Sequence, residues 1–232
     1  MLDKSTRYFC NLLCIALFIS SVSINIYDKH YISAICYGIL WAVLFVGFNW
    51  QQKNKQPELL YAGKYLRMMK FKGWDYVERT NADRIAYIIP LLIDDAGNKS
   101  LIFIKEFRIP VGKYVVGFPA GLIGDIGKED IWAGAQRELL EETGYTGSLL
   151  PLTHGPISPG LTNETLDYFL ATNLVKKSDT LGDGTENIET FIVPVYQAYR
   201  WLEEQRCEPN YMVDSKVYLG LYFVCKALGE VI

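Results

Sequence analysis

Two apolar runs of twenty residues, Tyr8–Tyr27 and Tyr31–Trp50, stand near the head of the chain with only Asp28, Lys29 and His30 between them. As helices, each would reach about 30 Å, the thickness of a bilayer's hydrocarbon core. So short a link sets the two spans antiparallel, with Tyr8, Tyr27, Tyr31 and Trp50 at the headgroup level that aromatic side chains favour. Lys4 and Arg7 precede the first run, and Lys53, Lys55, Lys64 and Arg67 follow the second, so the positive-inside bias puts both termini in the cytosol. The expectation is a multi-pass membrane protein: a two-helix hairpin in residues 1–50, a polar linker over 51–57, and a cytosolic body over 58–232. Two other readings stay open. A secretory signal peptide could end at Ser21-Val22-Ser23, although it would not explain the second run. Two buried core helices would be expected to show a polar face, and neither run has one.

The rest of the 232 residues has an ordinary composition. Three of the 23 basic residues and two of the 26 acidic ones precede residue 51, so the body carries a net charge of −4. That balance argues against a nucleic-acid-binding module, which needs a basic stripe. The five cysteines, Cys10, Cys14, Cys36, Cys207 and Cys225, show no metal-ligand or redox spacing and fit a reducing compartment.

Alternation of apolar and polar residues predicts strands over 58–71, 75–80, 84–93, 101–108 and 114–118, then about 147–153, 166–172 and 189–195. Asp94-Asp95-Ala96-Gly97-Asn98 reads as a hairpin loop. A helix is predicted over 131–143, with Asp130 as N-cap and Gly144 as the left-handed residue that ends it. Two more helical patterns, 196–204 and 214–228, follow. There is no internal repeat, and a mixed α/β layered domain accounts for this order of elements.

Within the first of these helices, Glu138, Glu141 and Glu142 stand at i, i+3 and i+4 and so project from one side. Unpartnered, such crowding costs a few tenths of a kcal/mol per pair, roughly, whereas a hard divalent cation would make it favourable. On spacing alone, a solvated acidic face is the favoured explanation of the cluster. The surrounding pattern decides between them. Gly121-Leu-Ile-Gly-Asp-Ile-Gly-Lys-Glu129, then seven residues, then Arg137-Glu138-Leu139-Leu140-Glu141-Glu142-Thr143-Gly144-Tyr145 resembles the Nudix box of the Nudix hydrolases. Further segments resemble the ADP-ribose/ADP-sugar pyrophosphatase branch: Gly73 to Thr80, Glu106-Phe107-Arg108-Ile109-Pro110, Phe118 to Leu122, and Ser158-Pro159-Gly160-Leu161. The resemblance covers roughly residues 58–228 and does not reach the apolar runs.

The resemblance implies a Nudix fold, an α/β/α sandwich around a mixed sheet, and Mg²⁺-dependent hydrolysis of ADP-ribose or a related ADP-sugar to AMP and a sugar phosphate. It implies that Ala120 (through its backbone), Glu138, Glu141 and Glu142 hold Mg²⁺, with Mn²⁺ as a substitute. Glu129 and Arg137 match positions that support the geometry of the loop and helix. Glu186, in the acidic run 182–189, is the implied general base, with Glu189 as the alternative. Trp74 corresponds to an aromatic that stacks on adenine across a homodimer interface formed by residues 58–80, with Asp75 at the base edge; a core tryptophan is the plain alternative. Arg79 and Arg108 match arginines that grip the diphosphate and ribose, and Leu122 and Ser158 match pocket-lining positions. Any of these could instead be an ordinary surface residue.

Two departures touch the site. Seven residues separate Gly121 from Glu129 where the common box has five, and Gly117 stands where this branch often has a glutamate. Two rival functions share the same residues: hydrolysis of another nucleoside diphosphate derivative, such as NADH or a GDP-sugar, and a membrane-tethered sensor that binds ADP-ribose without turnover. The intact carboxylates weigh against the sensor.

Overall fold

A computed structural model of the chain describes residues 37–46, 56–82, 84–125, 127–179 and 187–229. The chain divides into two units between Glu58 and Leu59. The expected first membrane span lies outside the described residues. The second is described only over its middle, residues 37–46, which are helical (α1). Ten helical residues reach about 15 Å, and among the described residues no helix is long and apolar enough to cross a membrane.

The second unit opens with a three-stranded sheet of β1 (Glu58–Ala62), β2 (Leu66–Phe71) and β3 (Trp74–Arg79). The sequence pattern reads as one strand through 58–71, but the chain turns at Gly63, whose N–H donates to the Leu66 carbonyl at 2.8 Å. Then come β4 (Arg84–Ile93), β5 (Lys99–Arg108), β6 (Lys113–Gly117), β7 (Ala120–Ile123), α2 (Ile131–Thr143), β8 (Tyr145–Pro156) and β9 (Thr165–Lys176). The chain continues through β10 (Glu189–Pro194), α3 (Val195–Cys207), β11 (Tyr211–Val213) and α4 (Lys216–Leu228). The large sheet is ordered β11-β6-β5-β4-β9-β8, with β10 also on β5 and β7 also on β4. It is mixed: β4 runs parallel to β9 and β11 parallel to β6, while β10 on β5, β4 on β5 and β7, β5 on β6 and β8 on β9 are antiparallel.

Side-chain alternation along β4 builds two cores. Tyr87, Ile89 and Leu91 point to one face, where they pack with Phe103, Phe118, Leu202, Val217, Leu221 and Val224 beneath α3 and α4. Ala86 and Ile88 point to the other, against Ala135 and Leu139 of α2. Because successive strand residues face opposite ways, a strand apolar on both faces demands a layer on each. The expected α/β/α sandwich with a mixed sheet is therefore present.

The helix over 131–143 has its expected ends. Gly144 adopts the left-handed conformation (φ 78°) and its N–H donates to the Leu140 carbonyl. Asp130 holds the N-cap position without a side-chain capping bond. β7 and β11 were not legible as strands. The last helix starts at Lys216 rather than 214 because the Asp214 N–H extends the ladder to Val116 O, at 2.9 Å.

At Gly220, α4 approaches the sheet most closely: a Cβ there would lie 2.6 Å from Phe118 Cε2 and 3.1 Å from Ile89 Cγ1. Gly220→Val is expected to lose about 1–3 kcal/mol through overpacking, read as a lowered urea midpoint with an unchanged slope.

Candidate active site

Glu138 and Glu142, one turn apart on α2, are buried against the backbone of β7. Glu142 Oε2 accepts the Ala120 N–H at 2.9 Å. The Glu138 carboxyl fills the space where a side chain on residue 121 would be, so only glycine fits there. The box glycine, Gly121, and Glu138 are thus two halves of one contact.

Arg137 supplies the compensating charge. Its Nη1 lies 2.7 Å from Glu138 Oε1 and 3.0 Å from Glu141 Oε2, while Nη2 reaches Glu129 Oε1 at 2.8 Å and donates to the Leu122 carbonyl at 3.1 Å. Glu129, in turn, accepts the Gly124 N–H. The guanidinium thereby ties the loop, β7 and the helix together, as expected for Glu129 and Arg137, and it pulls the Glu129 carboxyl below its ordinary range. Glu138 goes the other way. Burial raises its pKa from 4.5 to about 7, outweighing the pull of Arg137.

Above β7 opens a cleft of about 900 Å³, within the size range of small-molecule sites. Ala120, Gly121 and Leu122 of β7 line it, together with Arg79, Glu106 and Arg108 and with Tyr87, Gly117, Asp214 and Lys216. Arg79 pairs with Glu164 at 2.5 Å and Arg108 pairs with Glu106. The structure therefore brings together Arg79, Arg108, Leu122 and Ala120 in one cleft that includes the strand β7, against whose backbone Glu138 and Glu142 are buried.

Other candidates stand apart. Trp74 is 62% exposed at the start of β3, so it is not a core tryptophan, and Asp75 pairs across the hairpin with Lys70 at 3.8 Å. Neither lines the cleft. The Ser158 carbonyl accepts the Leu161 and Thr162 N–H groups, and the neighbouring Ile157 is the residue that reaches the cleft. Glu186 lies outside the described residues. Glu189 faces away. It pairs in register with Lys105 and binds its ammonium at 2.5 Å, while the next residue of β5, Glu106, points into the cleft. On that far face the Lys105 ammonium lies 4.8 to 5.7 Å from the ring centres of Tyr211, Phe191 and Tyr114.

Glu106, Tyr87, Asp214 and Lys216 were missed as cleft residues. The polar triplet at 214–216, placed at the start of a helical pattern, was a visible signal without a visible partner. The parallel pairing of β11 with β6 is what carries it to the site.

Residues 83–212 match the family model of the NUDIX domain, more than half of the chain. The chain belongs to the Nudix hydrolase family. The ADP-sugar pyrophosphatase of Mus musculus is 32% identical over 182 residues, 69% of this chain and 82% of that protein. The ADP-ribose pyrophosphatase of Bacillus subtilis is 29% identical over 180 residues, 75% of this chain and 92% of that one. A crystal structure of an ADP compounds hydrolase superposes with a TM-score of 0.57 at 24% identity, covering 76% of this chain and 95% of that one, which shows a shared fold.

Nudix hydrolases generally use a divalent metal such as Mg²⁺. Among the described residues, no group of three His, Cys, Asp or Glu side chains stands gathered for a metal. Arg137 explains this, because its Nη1 sits between Glu138 and Glu141. The donors themselves suit a hard cation: two buried carboxylates converge on the Ala120–Gly121 backbone, with oxygen as the only ligand atom.

Between 4.5 and about 7 the folded protein holds a proton on Glu138 that the unfolded chain has shed, so stability falls as pH rises through that window. In metal-free protein, the melting temperature of wild type is expected to drop relative to Glu138→Gln between about pH 5 and about pH 8. Added Mg²⁺ is expected to reverse the drop.

Proposed function

We propose that this Nudix hydrolase cleaves ADP-ribose or a related ADP-sugar to AMP and a sugar phosphate, with Mg²⁺ at Glu138, Glu141, Glu142 and the Ala120 carbonyl. One observation carries the reading: the cleft joins two arginines, Arg79 and Arg108, to the β7 segment beneath which Glu138 and Glu142 are buried. Relatives named ADP-sugar and ADP-ribose pyrophosphatase support the substrate class.

The chemistry follows from charge. A diphosphate diester repels an attacking hydroxide, and a bound divalent cation neutralises that charge and acidifies water. The residues of this chain do the rest. Arg79 and Arg108 exchange their carboxylate partners for phosphate oxygens, to which a guanidinium can donate two parallel bonds. Arg137 keeps α2 and the loop in place through Glu129 and the Leu122 carbonyl, which would leave Glu138, Glu141 and Glu142 free to hold a metal. Glu186 is the assigned base, taking the proton from water, since Glu189 is turned towards Lys105.

Trp74 is assigned to adenine stacking within a homodimer. The β1–β3 sheet exposes Leu59, Leu60, Tyr61, Tyr65, Leu66 and Met68 beside it, an apolar surface suited to a second copy. The two apolar runs are assigned to a membrane hairpin that holds the enzyme on the cytosolic face, a reading supported by their length and flanking charge.

With Mg²⁺, the full-length protein is expected to release AMP from ADP-ribose faster than from ADP-glucose or NADH, and to leave GDP-mannose largely uncut. EDTA abolishes the reaction, and Glu142→Gln lowers kcat by at least about a hundredfold. A folded wild type that cleaves no member of this panel refutes the proposal. For the hairpin, the full-length chain is expected to stay with membranes through an alkaline carbonate wash; quantitative release would exclude two spans.

A further inference from the structure

Besides Arg79 and Arg108, one more cation lines the cleft: Lys216, at the start of α4. It is held in place. Asp214 Oδ1 accepts the Lys216 backbone N–H at 3.0 Å, and Asp214 Oδ2 lies 2.6 Å from Lys216 Nζ. Asp214 is anchored in turn by its own N–H to the Val116 carbonyl. Beside it Gly117 contributes no side chain, and a Cβ there would stand 3.9 Å from Asp214 Oδ2, so the carboxylate fills that stretch of wall.

The pair sits against the buried Tyr87, whose ring centre is 5.6 Å from Lys216 Nζ. Burial and the nearby Asp214 charge together keep the Tyr87 hydroxyl protonated. Tyr87 is the strand partner of Ala120, and Ile85 is the strand partner of Leu122. Arg79 belongs to the Leu122 side: with Ile85 and Leu122 it also lines an adjoining polar cavity of about 220 Å³. The two cations thus flank the Ala120–Gly121 segment from opposite sides, Arg79 towards Leu122 and Lys216 towards Tyr87 and Gly117. Arg79 and Arg108 are already assigned to the diphosphate and ribose, which leaves Lys216 as the cation lining the cleft without a part of the substrate. A linear substrate whose diphosphate lies over Ala120–Gly121 must send its two halves in opposite directions.

We propose that Lys216, oriented by Asp214, binds the non-nucleotide half of the substrate, contacting the phosphate that leaves with the sugar. The inference rests on the hydrolase reading above and adds to it a residue that tells the two products apart. Lys216 is a binding residue and Asp214 a positioning residue. An ammonium has three N–H donors, so Lys216 can keep its Asp214 carboxylate and donate to a phosphate oxygen as well.

The test is product binding by calorimetry, with Mg²⁺, on full-length wild type, Lys216→Met and Lys216→Arg, with AMP and ribose 5-phosphate titrated separately. Lys216→Met is expected to weaken ribose 5-phosphate by about tenfold or more, the effect of losing one charged hydrogen bond. AMP binding stays within about twofold and the melting temperature is unchanged. Lys216→Arg, which keeps the charge, recovers most of the ribose 5-phosphate affinity. Loss of AMP affinity instead, equal loss of both, or no change in either overturns the assignment. If wild type binds neither product and cleaves no nucleoside diphosphate derivative, the hydrolase reading fails and this inference fails with it. Cleavage by wild type combined with unaltered sugar-phosphate binding in Lys216→Met defeats the inference alone.

Discussion

The contact between Gly121 and the Glu138 carboxyl is the constraint on which the rest of the site depends. Two carboxylates, Glu138 and Glu142, are buried beneath a strand of four residues. Buried ionised groups are unfavourable unless paired and hydrogen-bonded. Here the compensation comes from two directions: the Ala120 N–H bonds Glu142 and the Arg137 guanidinium pairs with Glu138. Burial still raises the Glu138 pKa against the pull of Arg137, so its carboxylate form is held less firmly than that of an exposed glutamate.

The rest of the fold fixes β7 relative to α2 closely enough for that contact to hold. β4 divides its ladder among three partners, β5, β7 and β9, and presents apolar side chains to both faces. Displacing β4 would disturb α2 on one side and α4 on the other. The short β7 is anchored through Tyr87 and Ile85, so the cleft floor is as rigid as the sheet core.

Much of this was legible in sequence because it is local. The bounds of α2 could be read because a left-handed glycine and a polar N-cap position mark them, and the three glutamates fall on one side by helical spacing alone. Arg137 was read as supporting the geometry, yet its role as charge partner was not, since that depends on a loop bringing Glu129 back to the helix. β7 gave no strand signal, because Ala-Gly-Leu-Ile is too short to alternate. The two candidate bases could not be separated by spacing. The structure turns Glu189 to Lys105, and which face a strand residue takes depends on a register that sequence does not display. Asp214 and Lys216 reach the cleft only through a parallel pairing between distant segments.

That pairing has a consequence for synthesis. The residues carrying the carboxylates leave the ribosome well before Tyr211 to Leu228, which supply the edge strand, one wall of the cleft and a large share of one core. Until those residues emerge, Phe118, Ile89 and Phe103 have no helix α4 to cover them, and the cleft has only one flank. A nascent chain in that state exposes an apolar sheet face and a half-built cleft together. Productive folding of the whole domain therefore waits for those residues, whatever order its other parts form in.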